Sequence, residues 1–410
     1  MIKSFKVKLT PNNKQLSFLN ANASVSRFAY NWTLEQQQIN YKNGGKFINN
    51  FDLRKKLTTL KKENLGWLYN YDVDITKQAV KDACDSYVKF FKNGKGFPRF
   101  KSKKHAKESF FIDNFKIKIT ENTVKIPKLK TPIKLAEKNY IPLNCKYSNP
   151  RITSDGVNWF LSVGIEVELE KHELTGITLG IDLGLKDLAT RSDGVVHKNI
   201  NKSKRLKLLR LRQKRTQKAI NRKYEKNKIG KLFIKTQNIK KAELKLKKQY
   251  VKISNIQKDY FNKTAIAIAR TKPKTIVMED LNIMGMKKNK HLSKSFQESS
   301  LYQFKTIVKN KCLEFGIEFV EANTFFPSSK TCSNCHAIKK DLKLKDRVFK
   351  CDSCNFEADR DYNASCNLSK YPELQGNSSL WSAKPKESSR KAKSGIEKKE
   401  ISKELNKIAI

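Results

Sequence analysis

Polar and apolar positions alternate along the first residues, IKSFKVKLT, the two-residue repeat of a strand with one wet face, and Pro11 ends it. From Asn12 to Lys92 apolar residues recur at helical spacing, as in Phe28, Trp32 and Leu34 and later in Ala79, Val80, Ala83, Tyr87 and Phe90. Gly94, Gly96 and Pro98 then break the helix inside the basic run KNGKGFPRFKSKK. Strand-like runs return between residues 109 and 170 in FKIKI, TVKIP, YSNPRITSD and NWFLSVGIEVELE. The economical reading is a helical insert, residues 11–92, inside a small β unit made of residues 1–10 and 93–172.

A second regime opens at Thr175. ITLGIDLGLKDLATRSDGVVH predicts two or three strands joined by tight glycine turns. Residues 201–270 predict two antiparallel basic helices with a loop near Gly230; Leu206, Leu209, Ile220, Ile239, Leu246, Ile253, Phe261 and Ile266 supply the buried stripe. KPKTIVMEDLNI reads as a buried strand, LYQFKTIVKNKCLEFG as a helix stopped by Gly316, IEFVEAN as a strand and DYNASCNLSK as a last helix. After residue 370 apolar periodicity ends, and residues 371–410 are expected to be a largely disordered basic tail.

Composition narrows the function. The 410 residues suffice for two to four compact units, and 38% apolar content suffices for buried cores. The formal charge of +47, from 86 basic and 39 acidic residues, exceeds what solubility needs and calls for a polyanionic partner, nucleic acid first. No long apolar run or amphipathic anchor speaks for a membrane, and the charged N-terminus is unlike a signal peptide. A cytosolic chain is expected. Eight cysteines in such a chain argue against a disulfide framework.

Four of these cysteines are diagnostic. Cys332, Cys335, Cys351 and Cys354 form two CxxC pairs separated by fifteen residues, the spacing of a four-thiolate tetrahedral zinc site. With every position filled by sulfur, the zinc is expected to be structural. The intervening KKDLKLKDRVF is expected to form a hairpin that joins the pairs, and His336 to be a surface neighbour and no ligand.

Chemistry is expected at the acids. GIDLG places Asp182 at the end of an apolar strand, MED places Glu279 at the end of another, and DRDYN places Asp359 and Asp361 just before a helix. Carboxylates at neighbouring strand ends converge in the crevice where open α/β sheets bind their ligands. Such a set suits magnesium, and two ions about 3.5–4 Å apart would serve phosphodiester hydrolysis. Taken singly, each acid reads equally as a turn, a cap or a solvated loop residue. An actin-like ATPase hairpin would also explain GIDLG, but the second glycine-rich phosphate loop it needs is missing.

GIDLGLKDLAT, IVMEDLNI, the ribbon from TCSNC to KCDSC, and DRDYNAS, in that order, resemble the TnpB (OrfB) proteins of bacterial insertion sequences, relatives of the compact type V CRISPR effectors. RFAYNW, FPRFKSKK and GNSSLW extend the resemblance over nearly the whole chain. It implies a multidomain α/β plus β-barrel protein: a RuvC-like nuclease of RNase H fold (173–330 and 356–370) with an inserted zinc ribbon (331–355), after an N-terminal wedge β-barrel with an inserted helical recognition lobe. It implies an RNA-guided DNA endonuclease with Asp182, Glu279 and Asp361 as catalytic magnesium ligands; Asp359 would cap or orient. Its partners would be a guide RNA and double-stranded target DNA with its displaced strand, with no small-molecule substrate, in a prokaryotic, nucleoid-associated cytoplasmic setting. A DNA-joining transposase and a non-cleaving nucleic-acid-binding accessory protein remain alternatives.

A guide–target heteroduplex is held by its backbone, which explains the lysines and arginines. Arg205, Arg210 and Arg212 on the basic helices and Arg99, Lys101 and Lys103 in the glycine-rich run are the candidate contacts. With 6 to 10 phosphate contacts, affinity would fall by about 10³ to 10⁵ between low and moderate salt. For the duplex motif beside the target, the resemblance points to Lys77, Gln78 and Asn114. Among the aromatics Phe28, Tyr30, Trp32, Phe97 and Phe100 that could stack on bases, Phe28 and Trp32 fit core packing better.

Overall fold

The computed structural model describes residues 1–94, 96–170, 172–281, 293–343 and 346–374. The chain separates into two compact units that divide at Val167–Glu168.

The first unit begins with β1 (Ile2–Thr10) and continues with α1 (Asn13–Lys42), α2 (Asn50–Glu63), a short 3-10 turn and α3 (Val73–Asn93). Local chemistry sets these boundaries. Asn12 caps α1 reciprocally with Gln15: the Asn12 side chain accepts from the Gln15 N–H at 2.9 Å and the Gln15 side chain from the Asn12 N–H at 3.0 Å. Gly94, at φ 57°, ends α3 in the left-handed conformation that costs a glycine little. Six further strands follow: β2 (Ser109–Phe111), β3 (Lys118–Ile119), β4 (Thr123–Lys125), β5 (Ile133–Leu135), β6 (Tyr147–Ser154) and β7 (Trp159–Glu166).

These strands form one antiparallel sheet in the order β2-β6-β7-β1-β5-β4-β3. The expected strand–helices–strands order is present. Among the described residues the edge strands β2 and β3 do not pair with each other. One core, including Val7, Leu19, Leu34, Val80, Phe110, Val124 and Leu161, serves helices and sheet together.

The second unit contains β8 (Thr175–Asp182), β9 (Asp187–Arg191), β10 (Val196–Lys198), α4 (Lys204–Lys226), β11 (Lys228–Ile229), β12 (Leu232–Phe233), α5 (Gln237–Ala269), β13 (Pro273–Glu279), α6 (Ser293–Ser299), α7 (Leu301–Phe315), β14 (Glu318–Ala322), β15 (Val348–Lys350), β16 (Glu357–Asp359), α8 (Arg360–Ser369) and α9 (Tyr371–Leu374). The two long basic helices are present, joined by the β11–β12 hairpin around Gly230. The central sheet runs β10-β9-β8-β13-β14: an antiparallel meander continued by parallel β13 and β14.

Strand alternation divides that sheet into two faces. Leu179 and Ile181 of β8 and Ile276 and Met278 of β13 pack with Phe261, Ile268, Phe304 and Val308 of α5 and α7. Val277 joins Ala322, Leu368 and Tyr371 in a separate cluster on the α8 side. Burial on both faces explains why Ile276, Val277 and Met278 are all fully inaccessible.

Two expectations are corrected. The segment between the CxxC pairs is not itself a hairpin among its described residues; β15 and β16 instead pair across the second CxxC, and Thr331 bridges Ile338 across the first. The tail does not start at residue 371. Tyr371 is buried, accepts a hydrogen bond from the Asn323 N–H at 3.0 Å and packs edge-on against Phe326 with ring centroids 4.9 Å apart. The GNSSLW motif and most of the expected tail lie outside the described residues. No helix among the described residues is long and apolar enough to cross a membrane.

Candidate active site and metal centre

Side chains on one strand alternate between faces, so residues two apart share a face. Asp182 therefore lies on the face of Gly180, and Glu279 on the face of Val277, which is the side covered by α8. The pairing of Met278 with Ile181 on parallel β13 and β8 brings these two strand-end acids alongside each other. Asp361 comes from the first turn of α8.

Gly180 permits this convergence. A Cβ at that position would stand 2.0 Å from the Ser365 carbonyl oxygen and 2.4 Å from the Ser369 nitrogen, both α8 backbone. Only a residue without a side chain lets the helix lie so close to the strand end.

Electrostatics reports the same proximity. Burial pushes the Asp182 carboxyl well above its ordinary range, and the neighbouring Glu279 and Asp361 carboxylates push it further, with Arg360 partly opposing. Burial also raises Glu279; the Ser328 hydroxyl donated to its Oε1 opposes this, and Asp361 adds to the rise. Arg360 donates to Asp361 at 3.2 Å, and Arg347 stands 4.0 Å from its other oxygen. The adjacent Asp280 is held differently: Lys305 donates to it at 3.1 Å and to Glu321 at 2.9 Å. Asp359 accepts from the N–H groups of Asp361 and Tyr362 at 2.9 and 3.2 Å, so it caps α8.

Close like charges partly paired with arginine form a site that a divalent cation would stabilise, because carboxylate oxygens are the ligands magnesium prefers. Among the described residues, however, the group whose ligating atoms all lie within 4.8 Å of one another is the cysteine set Cys332, Cys335, Cys351 and Cys354.

The two cysteine pairs are built alike. The Cys332 N–H bonds the Ala337 carbonyl at 2.9 Å, and the Cys351 N–H bonds the Phe356 carbonyl at 2.8 Å. The His336 N–H returns to the Cys332 carbonyl at 3.0 Å, and the Asn355 N–H to the Cys351 carbonyl at 3.1 Å. His336 and Asn355 both sit at positive φ, 63° and 56°, where each chain must turn back after its second cysteine. Sulfurs are 3.7 Å apart for Cys332–Cys354 and 3.5 Å for Cys335–Cys351. A tetrahedron with zinc–sulfur bonds of about 2.3 Å has edges of about 3.8 Å, so the thiolates fit zinc. The Phe356 N–H donated to the Cys354 sulfur helps draw that thiol down to about 6, favouring the ligating thiolate.

Buried amides connect the two clusters. Asn363 and Asn367, four residues apart on one face of α8, are fully inaccessible. Asn363 donates to the Thr331 carbonyl at 2.7 Å and accepts from the Ser333 N–H, inside the first CxxC, at 2.9 Å. Asn367 donates to the carbonyls of Thr331 and Ser328 at 2.6 and 2.8 Å. Ser328 in turn holds Glu279. The helix carrying Asp361, the residue bonding Glu279 and the first cysteine pair thus share one hydrogen-bonded frame. Sequence reasoning passed over Ser328, Gly180, Asn363 and Asn367; the four-residue spacing on one helix was a visible signal for the two asparagines alone.

The candidate nucleic-acid contacts divide. Arg99, Lys103, Arg205 and Arg212 are exposed. Lys77 is half-exposed, 3.6 Å from Asp74, and Asn114 is half-buried. Three others are engaged internally. Gln78 donates to Asp82 at 2.8 Å, Lys101 lies 3.5 Å over the Tyr30 ring, and Arg210 donates to the Asn201 side chain at 2.7 Å and pairs with Glu298 at 3.2 Å.

Three family profiles match the chain: "Helix-turn-helix domain" over residues 1–46, "Probable transposase" over 160–290 and "Cas12f1-like, TNB domain" over 302–368. In this chain the first covers a strand and one 30-residue helix. A "Putative RNA-guided DNA endonuclease" of Streptomyces pristinaespiralis is 25% identical over 89% of this chain and 88% of its own length. A TnpB-like protein of Acanthamoeba polyphaga mimivirus is 27% identical over 90% and 73%. The protein chain of a Cas12f1–sgRNA–target DNA complex has a similar fold, with a TM-score of 0.57 at 15% identity over 87% of this chain and 83% of that one. The ordered motifs, the profiles along the chain and the relatives agree: this chain belongs to the TnpB (OrfB) family of transposon proteins, relatives of the type V effectors.

Proposed function

We propose that the chain is an RNA-guided, magnesium-dependent endonuclease that hydrolyses DNA matched to a bound guide next to a short adjacent motif. One observation carries this reading: Asp182 and Glu279 end adjacent parallel strands on the face where α8 delivers Asp361. The relatives named for RNA-guided cleavage support it.

In this reading Asp182, Glu279 and Asp361 hold the magnesium, which supplies charge neutralisation at the scissile phosphate and a nucleophile at neutral pH. Ser328 orients Glu279, and Arg360 and Arg347 direct Asp361. Asp280, neutralised by Lys305, lies outside the chemistry. The four cysteines hold a structural zinc that shapes the ribbon and, through Asn363 and Asn367, braces α8.

The first unit supplies the wedge and the helical lobe, whose strand–helices–strands order fits that assignment. The antiparallel meander continued by two parallel strands supports an RNase H-like nuclease core in the second unit. Exposed Arg99, Lys103, Arg205 and Arg212 are the backbone contacts this reading favours, with Lys77 and Asn114 at the adjacent motif; Gln78, Lys101 and Arg210 act first on their own fold. The experiment is to sequence the RNA that copurifies with the protein and to test cleavage of matched DNA with magnesium. Cleavage of matched DNA, lost in chelator and in D182A, is expected; recovery of random cellular RNA and no guided cleavage would overturn the reading.

A further inference from the structure

The loop between β14 and the first cysteine pair, Asn323-Thr324-Phe325-Phe326-Pro327-Ser328, is fixed at nearly every residue. The Asn323 N–H bonds the Tyr371 hydroxyl at 3.0 Å, and its side chain accepts from the Phe325 N–H at 2.9 Å. Thr324 donates to Asp280 at 3.3 Å, the Phe326 ring packs on Tyr371, and Pro327 accepts from the N–H groups of Lys330 and Thr331, both at 3.0 Å. Ser328 bonds Glu279 and is itself held by Asn367.

Phe325 is the exception in this frame. The residue is 84% exposed, while the adjacent Phe326 is packed. A lone exposed apolar side chain is ordinarily unremarkable. Here the residue before it bonds Asp280 and the third residue after it bonds Glu279, so the loop that carries the ring is tied to the end of β13, where Glu279 stands. An aromatic face held in water in a chain of charge +47 suits a flat, uncharged partner attached to a polyanion. A nucleobase is that partner, because every base has a π-face to stack.

We propose that Phe325 is a nucleobase platform: its ring stacks on a base next to the phosphate that the Asp182–Glu279–Asp361 centre cuts, and so sets where the strand lies. The platform rests on the nuclease reading and adds to it a subsite for one base, without hydrogen-bonded base selection. Tied through Thr324 and Ser328 to the end of β13, the loop fixes the platform relative to Glu279.

The test uses the full chain with its copurified RNA and duplex DNA matched to that RNA, with 2-aminopurine placed in turn at each nucleotide flanking the mapped cut. Stacking of one base by an aromatic ring predicts that F325A and F325L slow cutting by roughly 5- to 100-fold, with unchanged thermal midpoint and guide binding, while F325W restores the rate. In the non-cutting D182N background, one 2-aminopurine position should change its fluorescence between the wild-type ring and F325A. Wild-type cutting with F325A within about twofold, or slowed cutting without a fluorescence change, overturns the platform and leaves the nuclease reading intact. If the wild-type complex does not cut matched DNA, the nuclease reading falls and the platform with it.

Discussion

The cysteine cluster and the acidic cluster share a frame but are built on opposite principles. The four sulfurs stand at tetrahedral spacing, 3.5 and 3.7 Å across two edges, each pair shaped by its own turn and backbone hydrogen bonds. The three carboxylates come from two strand ends and a helix start; burial raises Asp182, and its two neighbours raise it further. A ligand set closed by local turns holds a metal for folding. Acids assembled from distant elements and only partly offset by Arg360 and Arg347 are suited to a cation that takes part in chemistry, since its binding relieves the remaining repulsion. The contrast follows from sequence separation: within a CxxC the turn does the work, whereas the acids need the whole sheet and Gly180.

The largest expected effect is on the closed side of that contrast. Replacing Cys351 with Ser should abolish stoichiometric zinc in elemental analysis and open residues 331–359 to protease, because structural zinc contributes roughly 10 kcal/mol to such modules. Retention of zinc by C351S would mean that the sulfurs do not act as one site. On the open side, D182A, E279Q and D361N should each reduce guided cleavage by roughly 10³-fold or more with guide binding intact, whereas D280N should cut normally. Equal losses in D280N would erase the distinction drawn between Glu279 and its neighbour.

Gly180 tests whether the acids depend on long-range packing. G180A pushes a methyl group into α8 backbone and should cost about 3 kcal/mol or more in urea unfolding, far above an ordinary surface substitution. A smaller and opposite effect is expected from D182N without divalent metal. The folded Asp182 binds its proton more tightly than an unfolded aspartate, whose ordinary value is 3.8. Its contribution to stability is therefore present below that value and is lost as pH rises toward the elevated folded value. At neutral pH, D182N should melt about 2–4 °C above the metal-free wild type and flatten this acid-side slope, and magnesium should narrow the gap by stabilising the wild type.

What could be read in the chain beforehand was what local chemistry constrains. The CxxC spacing leaves few alternatives to a thiolate site, and an apolar run ending in an acid marks a strand end whatever surrounds it. Helix stops at Gly94 and Gly316 were visible because both adopt positive φ, 57° and 71°. What stayed hidden depends on partners far along the chain. GIDLG suggested a tight turn, but Gly180 is glycine because α8 lies on it. The ribbon's strands flank the second CxxC because Phe349, Cys332 and Cys351 share one small core, which no residue pattern in the intervening segment revealed. Charge runs likewise identify cations without their partners: Arg212 is exposed, whereas Arg210, two residues earlier, is committed to Asn201 and Glu298.

The central claim is that Asp182, Glu279 and Asp361 share one divalent-ion centre. Loading the protein with Fe²⁺ in place of Mg²⁺, adding ascorbate and peroxide, and mapping backbone breaks by mass spectrometry tests it without any substrate. Breaks should appear together near residues 182, 279 and 361, and all three should vanish with excess Mg²⁺ or in D182A. Breaks confined to one of the three regions, or indifferent to Mg²⁺, would contradict it.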